Sequence, residues 1–211
     1  MAWSKFYAAS LRTLIRDYEK AELLAAHALE LSQQHRFKYI AAAARAHLGY
    51  ARSQLGYAAE GVELIRRGIN ETLETGSRLM LSACTGYLAA GLEQRGDVFE
   101  ALETLEQALQ LYPDEIYYRP EIFRLRGELH LATRQLDVAQ ADFRDSISLA
   151  RSMGAKGWEL RTTMSLARLL ASQARRDEAS TMLAEIYGWF TEGFDTADLK
   201  DAKALLDELS A

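Results

Sequence analysis

Leu48 to Gly68 reads L-G-Y-A-R-S-Q-L-G-Y-A-A-E-G-V-E-L-I-R-R-G. Small residues stand at Gly49, Gly61 and Gly68 and a bulky one at Ile65, giving offsets of 12, 16 and 19 from Gly49. The pattern recurs along the whole chain. Its first column is Ala9, Gly49, Ala89, Gly127 and Ala167, at intervals of 40, 40, 38 and 40. The second is Ala21, Gly61, Ala101, Ala139 and Ala179, and the third Ala25, Ile65, Leu105, Phe143 and Leu183. The fourth is Ala28, Gly68, Ala108 and Ser146, with Ile186 departing from it. A fixed period of this length is the mark of a repeat architecture, in which each repeat is one supersecondary unit stacked on its neighbours.

The columns have a steric meaning. Two antiparallel helices approach closely only where side chains are small, and a larger residue four positions along fills the space beside the crossing. Each repeat therefore reads as a helical hairpin. Gly56-Tyr57, Gly96-Asp97 and Arg175-Arg176-Asp177 fall between the first two columns, where a helix must stop and reverse. The only prolines, Pro113 and Pro120, fall between hairpins, and Pro120 suits the first position of a helix. The reading gives hairpins over 1–36, 37–76, 77–114, 115–154 and 155–193 and a closing helix over 195–210, within one repeat domain spanning 1–211.

Composition agrees with an all-α chain and narrows its partners. At 211 residues and 49% hydrophobic, the chain can bury a sizeable core. Its formal charge of −5 argues against a non-specific nucleic-acid surface, which needs clustered cations. Cys84 is the only cysteine, so a disulfide framework is excluded, and a cytoplasmic location is expected. Its neighbours Ala83 and Thr85 mark it as a small buried helix residue. The longest apolar stretch, around Tyr39 to Ala44, is far short of the ~20 residues a membrane helix requires. The first residues also lack the charged-then-apolar pattern of a signal peptide.

The spacing resembles the tetratricopeptide repeat, whose usual period is about 34 residues. Leu48-Gly49, Ala101 with Leu105 and Ala108 followed by Pro113, and Ala139 with Phe143 are the best matches. The aromatic usual early in the first helix is missing from most repeats, and the step from Ala21 to Gly49 is 28 against roughly 22 in the shorter form. The added length therefore lies in each second helix and the first helix that follows it. The resemblance implies a right-handed α-solenoid of antiparallel hairpins, divergent tetratricopeptide-like repeats of about 40 residues, with first helices along a concave face.

A second resemblance covers Pro120 to Leu209. P-E-I-F-R-L-R-G-E-L from Pro120, G-A-K-G-W-E-L-R-T-T-M-S-L-A-R-L from Gly154 and Y-G-W-F-T-E-G-F-D-T-A-D-L from Tyr187 resemble the C-terminal repeat region of large bacterial regulators. Those proteins join an adenylate/guanylate cyclase or a DNA-binding domain to an ATPase and then to such repeats. The chain carries no cyclase or ATPase segment. What the resemblance implies is a non-enzymatic regulatory module that binds a protein or peptide partner, or upstream domains of the same chain. The alternative is an effector-sensing domain controlling an attached enzyme or DNA-binding module.

Catalytic chemistry has no foothold in the pattern of residues. His27, His35, His47 and His130 show no metal-ligand spacing with one another or with Cys84, and phosphate-loop, dinucleotide and nucleophile-elbow motifs are all missing. No catalytic, metal or cofactor-binding residue is expected. The candidate partner surface joins Tyr117, Tyr118, Arg119 and Arg124, at the start of a first helix, to Arg45 and Arg52. Aromatic rings beside guanidiniums are the side chains that dominate binding hot spots. Arg124 with Glu128, and Glu159, Arg161 and Arg168, continue a charged first-helix pattern.

The two ends differ. From Tyr187 to Leu199 the sequence reads as a structural end-cap: Gly193 stops a helix, Asp195 caps the next, and Trp189, Phe190 and Phe194 fill the joint beneath it. The last helix carries Leu199, Ala202, Leu206 and Leu209 on one face, as the closing layer of a stack requires. At the other end Trp3, Phe6, Tyr7, Leu11, Leu14 and Ile15 form an apolar edge. That edge predicts self-association, or coverage by further parts of a longer protein.

Overall fold

The structure, a computed structural model, describes residues 1–210. Its regular secondary structure among these residues is all helix, and it forms two compact units, Met1–Glu115 and Ile116–Ala211. The division falls in the proline-bounded connection where the period shortens to 38. The first unit holds α1 (Ala2–Leu14), α2 (Tyr18–Gln34), α3 (Lys38–Gln54), α4 (Ala58–Glu74), α5 (Leu81–Arg95) and α6 (Val98–Leu111). The second holds α7 (Arg119–Ala132), α8 (Leu136–Ser152), α9 (Lys156–Ser172), α10 (Arg176–Tyr187) and α11 (Ala197–Ser210).

Within each unit, consecutive helices pack in pairs and first helices lie beside first helices. α3 packs on α1, α2, α4 and α5, and α9 packs on α7, α8, α10 and α11. Second helices do not pack on one another; Arg66 of α4 reaches Glu100 of α6 only through its long side chain. Every residue of the four columns is buried. Their smallness is a geometric need where α3 meets α4. A Cβ placed on Gly49 would lie 2.6 Å from the Gly61 carbonyl oxygen, and one on Gly68 would lie 2.8 Å from that of Ala42. The bulky column fills the flanks, with Ile65, Leu105, Phe143 and Leu183 wholly buried. Ser146 keeps the fourth column small while remaining polar, donating to the Pro120 carbonyl at 2.7 Å and meeting the Thr162 hydroxyl at 2.8 Å.

The turns inside the hairpins share one backbone geometry. Arg16, Gly56, Gly96, Arg134 and Ala174 all have positive φ, at the same intervals of 40, 40, 38 and 40 as the first column. The residue after each donates its N–H across the turn, at 2.8 to 3.0 Å, to the carbonyl five positions back: Asp17 to Arg12, Tyr57 to Arg52, Asp97 to Leu92, Gln135 to His130 and Arg175 to Leu170. This is the Schellman closure of a helix. Glycine marks it only twice, because three of the hairpins accept the left-handed strain of an ordinary residue, roughly 1 kcal/mol each.

The C-terminal end closes differently in detail from the sequence expectation. α10 stops at Tyr187, with Gly188 after it, and Gly193, whose φ is +78°, lies in the connection rather than at the helix end. Thr196, not Asp195, stands before α11: its carbonyl accepts from the Lys200 N–H at 3.1 Å, while its own N–H and hydroxyl both return to the Gly193 carbonyl. Asp195 is exposed. Trp189 and Phe194 keep 58% and 47% of their surface, so they do not fill the joint. Phe190 packs against the core there, together with Ile186, Leu199, Ala202, Leu205 and Leu209. Leu205 takes the central place that the sequence reading gave to Leu206, which is only partly buried.

Candidate functional site

In the second unit, the repeat period brings charged side chains of three helices into one line. Glu121 sits in the first turn of α7 beside Pro120 and is 2% exposed. Arg124, one turn on, grips both its oxygens at 2.9 and 2.8 Å. Arg161 on α9, one repeat period after Glu121, approaches the same carboxylate at 3.5 Å. The Arg161 guanidinium also holds Asp198 in the first turn of α11. Arg124 reaches Glu128 at 3.5 Å, and Ser165 of α9 donates to Glu128. Three carboxylates and two guanidiniums thus alternate along the first helices and the closing helix.

The electrostatics keep this line ionised. Burial alone would raise the Glu121 carboxyl, but Arg124 and Arg161 overcome it and hold the group below its ordinary value. Burial works against the Arg124 charge too, and the Glu121 carboxylate more than compensates, raising it. A carboxylate saturated by two guanidiniums is a weak base. The line therefore suits recognition better than proton transfer.

Aromatic rings lie alongside it. The Arg161 guanidinium stands 5.0 Å from the Trp158 ring centroid, and Tyr118 meets that ring edge-on at 5.4 Å. Tyr118 is buried, 3% exposed, whereas Tyr117 beside it keeps 48% of its surface. Arg119 is half-buried. Tyr117, Tyr118, Arg119 and Arg124 are thus neighbours at the start of α7, but only Tyr117 is open to solvent. Glu159 points elsewhere, to Arg151 and Lys156, and Arg168 is exposed. Asp198, legible in the sequence only as a residue near a helix start, is the further member, found through its ion pair with Arg161.

The first unit holds Arg45 and Arg52, each occupied by carboxylates of neighbouring helices. Arg45 is buried on α3 and bonds Glu71 of α4 at 2.9 Å. Arg52 bonds Glu22 of α2 at 2.9 Å and also Glu60 of α4. Both act as struts between elements. His47, which carries no motif, is fully enclosed on α3: its Nε2 is 3.1 Å from the Ser10 hydroxyl, and its ring packs on Phe6 and Tyr87. Burial pushes its imidazole down to about 4. Cys84 is enclosed as well, its thiol pushed up to about 12 by burial and by the nearby Glu115. Among the described residues no group of three or more His, Cys, Asp or Glu is placed to hold a metal ion. Nor is any described helix long and apolar enough to cross a membrane.

No family model matches the chain, and no curated protein does. Solved structures do. The chain superposes over its whole length on 99% of a thermophilic tetratricopeptide protein of Thermus thermophilus, with a TM-score of 0.73 and 16% identity. PilF of Pseudomonas aeruginosa matches 99% of the chain over 88% of its own, with a TM-score of 0.61 and 16% identity. BtubC from P. vanneervenii matches 95% over 89%, with a TM-score of 0.63 and 16% identity. These likenesses establish the fold: an α-solenoid of tetratricopeptide-like repeats.

Proposed function

We propose that the chain is a non-enzymatic helical-repeat scaffold that holds a protein or peptide, or further domains of its own polypeptide, and serves as the regulatory module of a bacterial signalling or transcription protein. The line on α7, α9 and α11 carries this reading. Its side chains are already ordered by one another, so a partner meets a preorganised surface and little side-chain freedom is lost on binding. In it the carboxylates of Glu121, Glu128 and Asp198 alternate with the guanidiniums of Arg124 and Arg161. Glu128, whose side chain is 30% exposed, is the carboxylate most open to a partner. The ligand chemistry that fits is a peptide bearing lysine or arginine, with an apolar residue for the Trp158 ring.

Selection of a displayed random-peptide library on the immobilised chain tests this. Enriched sequences rich in lysine or arginine are expected, with affinity falling about tenfold on Glu128→Gln and weakening with salt. Selected peptides indifferent to both Glu128→Gln and Trp158→Ala would refute the assignment of the surface. A thermal shift with small metabolites and none with peptides would favour effector sensing instead.

A further inference from the structure

The carboxylates of the charged line in the second unit are not equally engaged. Glu121 is gripped through both oxygens, Oε2 by the Arg124 Nε at 2.9 Å and Oε1 by its Nη2 at 2.8 Å. Asp198 is gripped through both as well, Oδ1 by the Arg161 Nε and Oδ2 by its Nη2. Each arginine thus turns its two-pronged edge to a carboxylate of the chain itself. Glu128 differs. Both of its contacts fall on one oxygen: Ser165 of α9 donates to Oε1 at 2.5 Å, and the remaining Nη1 of Arg124 stands 3.5 Å from the same atom. Among the described residues no hydrogen bond or ion pair reaches Oε2, and the side chain is 30% exposed.

We infer that the cation this surface takes at Glu128 is a lysine ammonium in preference to an arginine guanidinium. The inference rests on the reading of the line as the partner surface and decides between the two cations that suit it. The advantage of a guanidinium at a carboxylate is a pair of parallel N–H bonds, one to each oxygen. That pairing needs both oxygens open along one edge. At Glu128 the Ser165 hydroxyl takes Oε1 and the Arg124 charge faces it, so a docked guanidinium keeps one bond and its second prong has no acceptor. An ammonium has no such requirement. Its charge is compact, and a single N–H to Oε2 leaves its other two donors in water.

Ser165 sets this choice without touching the partner, as a positioning residue. It lies within α9, is 3% exposed, and its hydrogen bond has the short length of one to an ionised acceptor. The bond holds the Glu128 carboxylate by Oε1 and leaves Oε2 for the partner. The preceding repeats carry Leu125, Tyr87 and His47 in the same column, at intervals of 40, 38 and 40. A serine is therefore no demand of the stacking.

Two displayed peptide libraries test the inference, identical except that one encodes lysine without arginine and the other arginine without lysine. Each is selected on the immobilised full chain, and the best binders are titrated calorimetrically beside counterparts with the cations exchanged. In the wild type the lysine form is expected to bind about tenfold more tightly. The preference should vanish in Ser165→Ala, where Oε1 is freed for a bidentate pair, and persist in Ser165→Thr, which keeps the hydroxyl. Simple loosening of α9 would weaken both forms alike, so the ratio reads positioning rather than stability. Peptides that depend on Glu128 yet bind equally in both forms, or better with arginine, would overturn the inference and leave the partner surface standing. An undiminished preference in Ser165→Ala would overturn the role of Ser165. Binders from neither library that respond to Glu128→Gln would overturn the partner surface and the inference together.

Discussion

Replacing Gly49 by alanine and Gly157 by alanine makes the same chemical change in two helices, and the structure predicts opposite signs. In both, alanine gains up to about 1 kcal/mol of helix propensity over glycine. At Gly157, in the first turn of α9, the added Cβ meets nothing within 4 Å, so only that gain is felt. At Gly49 the new Cβ would lie 2.6 Å from the Gly61 carbonyl oxygen and 2.9 Å from the Ile65 backbone nitrogen. Ordinary contacts are about 3.4 Å or longer, a shortfall of roughly 0.8 Å. Both atoms belong to the backbone of α4, so no rotamer change relieves the clash and the two helices must part. Overpacking of that kind costs about 1 to 3 kcal/mol and occasionally more. Net of propensity, Gly49→Ala should destabilise by about 2 kcal/mol, lowering the melting temperature by roughly 4 to 8 °C for a chain of this size. Gly157→Ala should raise it by about 1 to 2 °C. Thermal unfolding followed by helical circular dichroism measures both. Equal shifts, or a stabilised Gly49→Ala, would refute the close crossing of α3 and α4 and the repeat register with it.

Buried polar groups set three further outcomes. His47 stays neutral in the fold down to about pH 4, whereas its ordinary value is 6.5. Its contribution is complete above pH 6.5, declines as pH falls and is gone below about 4, a loss of about 3 kcal/mol. The stability advantage of wild type over His47→Gln should therefore shrink between about pH 7 and 4.5, and parallel pH profiles would contradict this. Glu121→Gln leaves Arg124 and Arg161 facing a neutral amide in a buried site and should cost about 3 kcal/mol or more in urea unfolding near neutral pH. Because Glu121 is held below 4.5, that difference should fade as acid protonates the wild-type carboxylate; a variant as stable as wild type at neutral pH would show the line to be dispensable. Cys84 should react with a thiol reagent at about pH 8 only as fast as the fold opens, and reaction at the rate of a free thiol would show that α5 is not enclosed as described.

The repeat was legible because its cause is local and periodic. A helix crossing demands small residues at fixed offsets, so Gly49, Gly61 and Gly68 announce it in any sequence order, and the tetratricopeptide-like fold follows from five such sets. The left-handed conformation of the turns was legible only where glycine stands. Arg16, Arg134 and Ala174 take the same left-handed conformation with nothing in their chemistry to mark it, because closure of the hairpin around them imposes it. The charged pattern was visible as composition, but the pairing of Arg161 with both Glu121 and Asp198 depends on residues far apart in the chain becoming neighbours. Burial of Tyr118 and exposure of Trp189 and Phe194 were likewise decided by packing: an aromatic side chain carries the same hydrophobicity in either place, and only the elements stacked around it determine whether water is excluded.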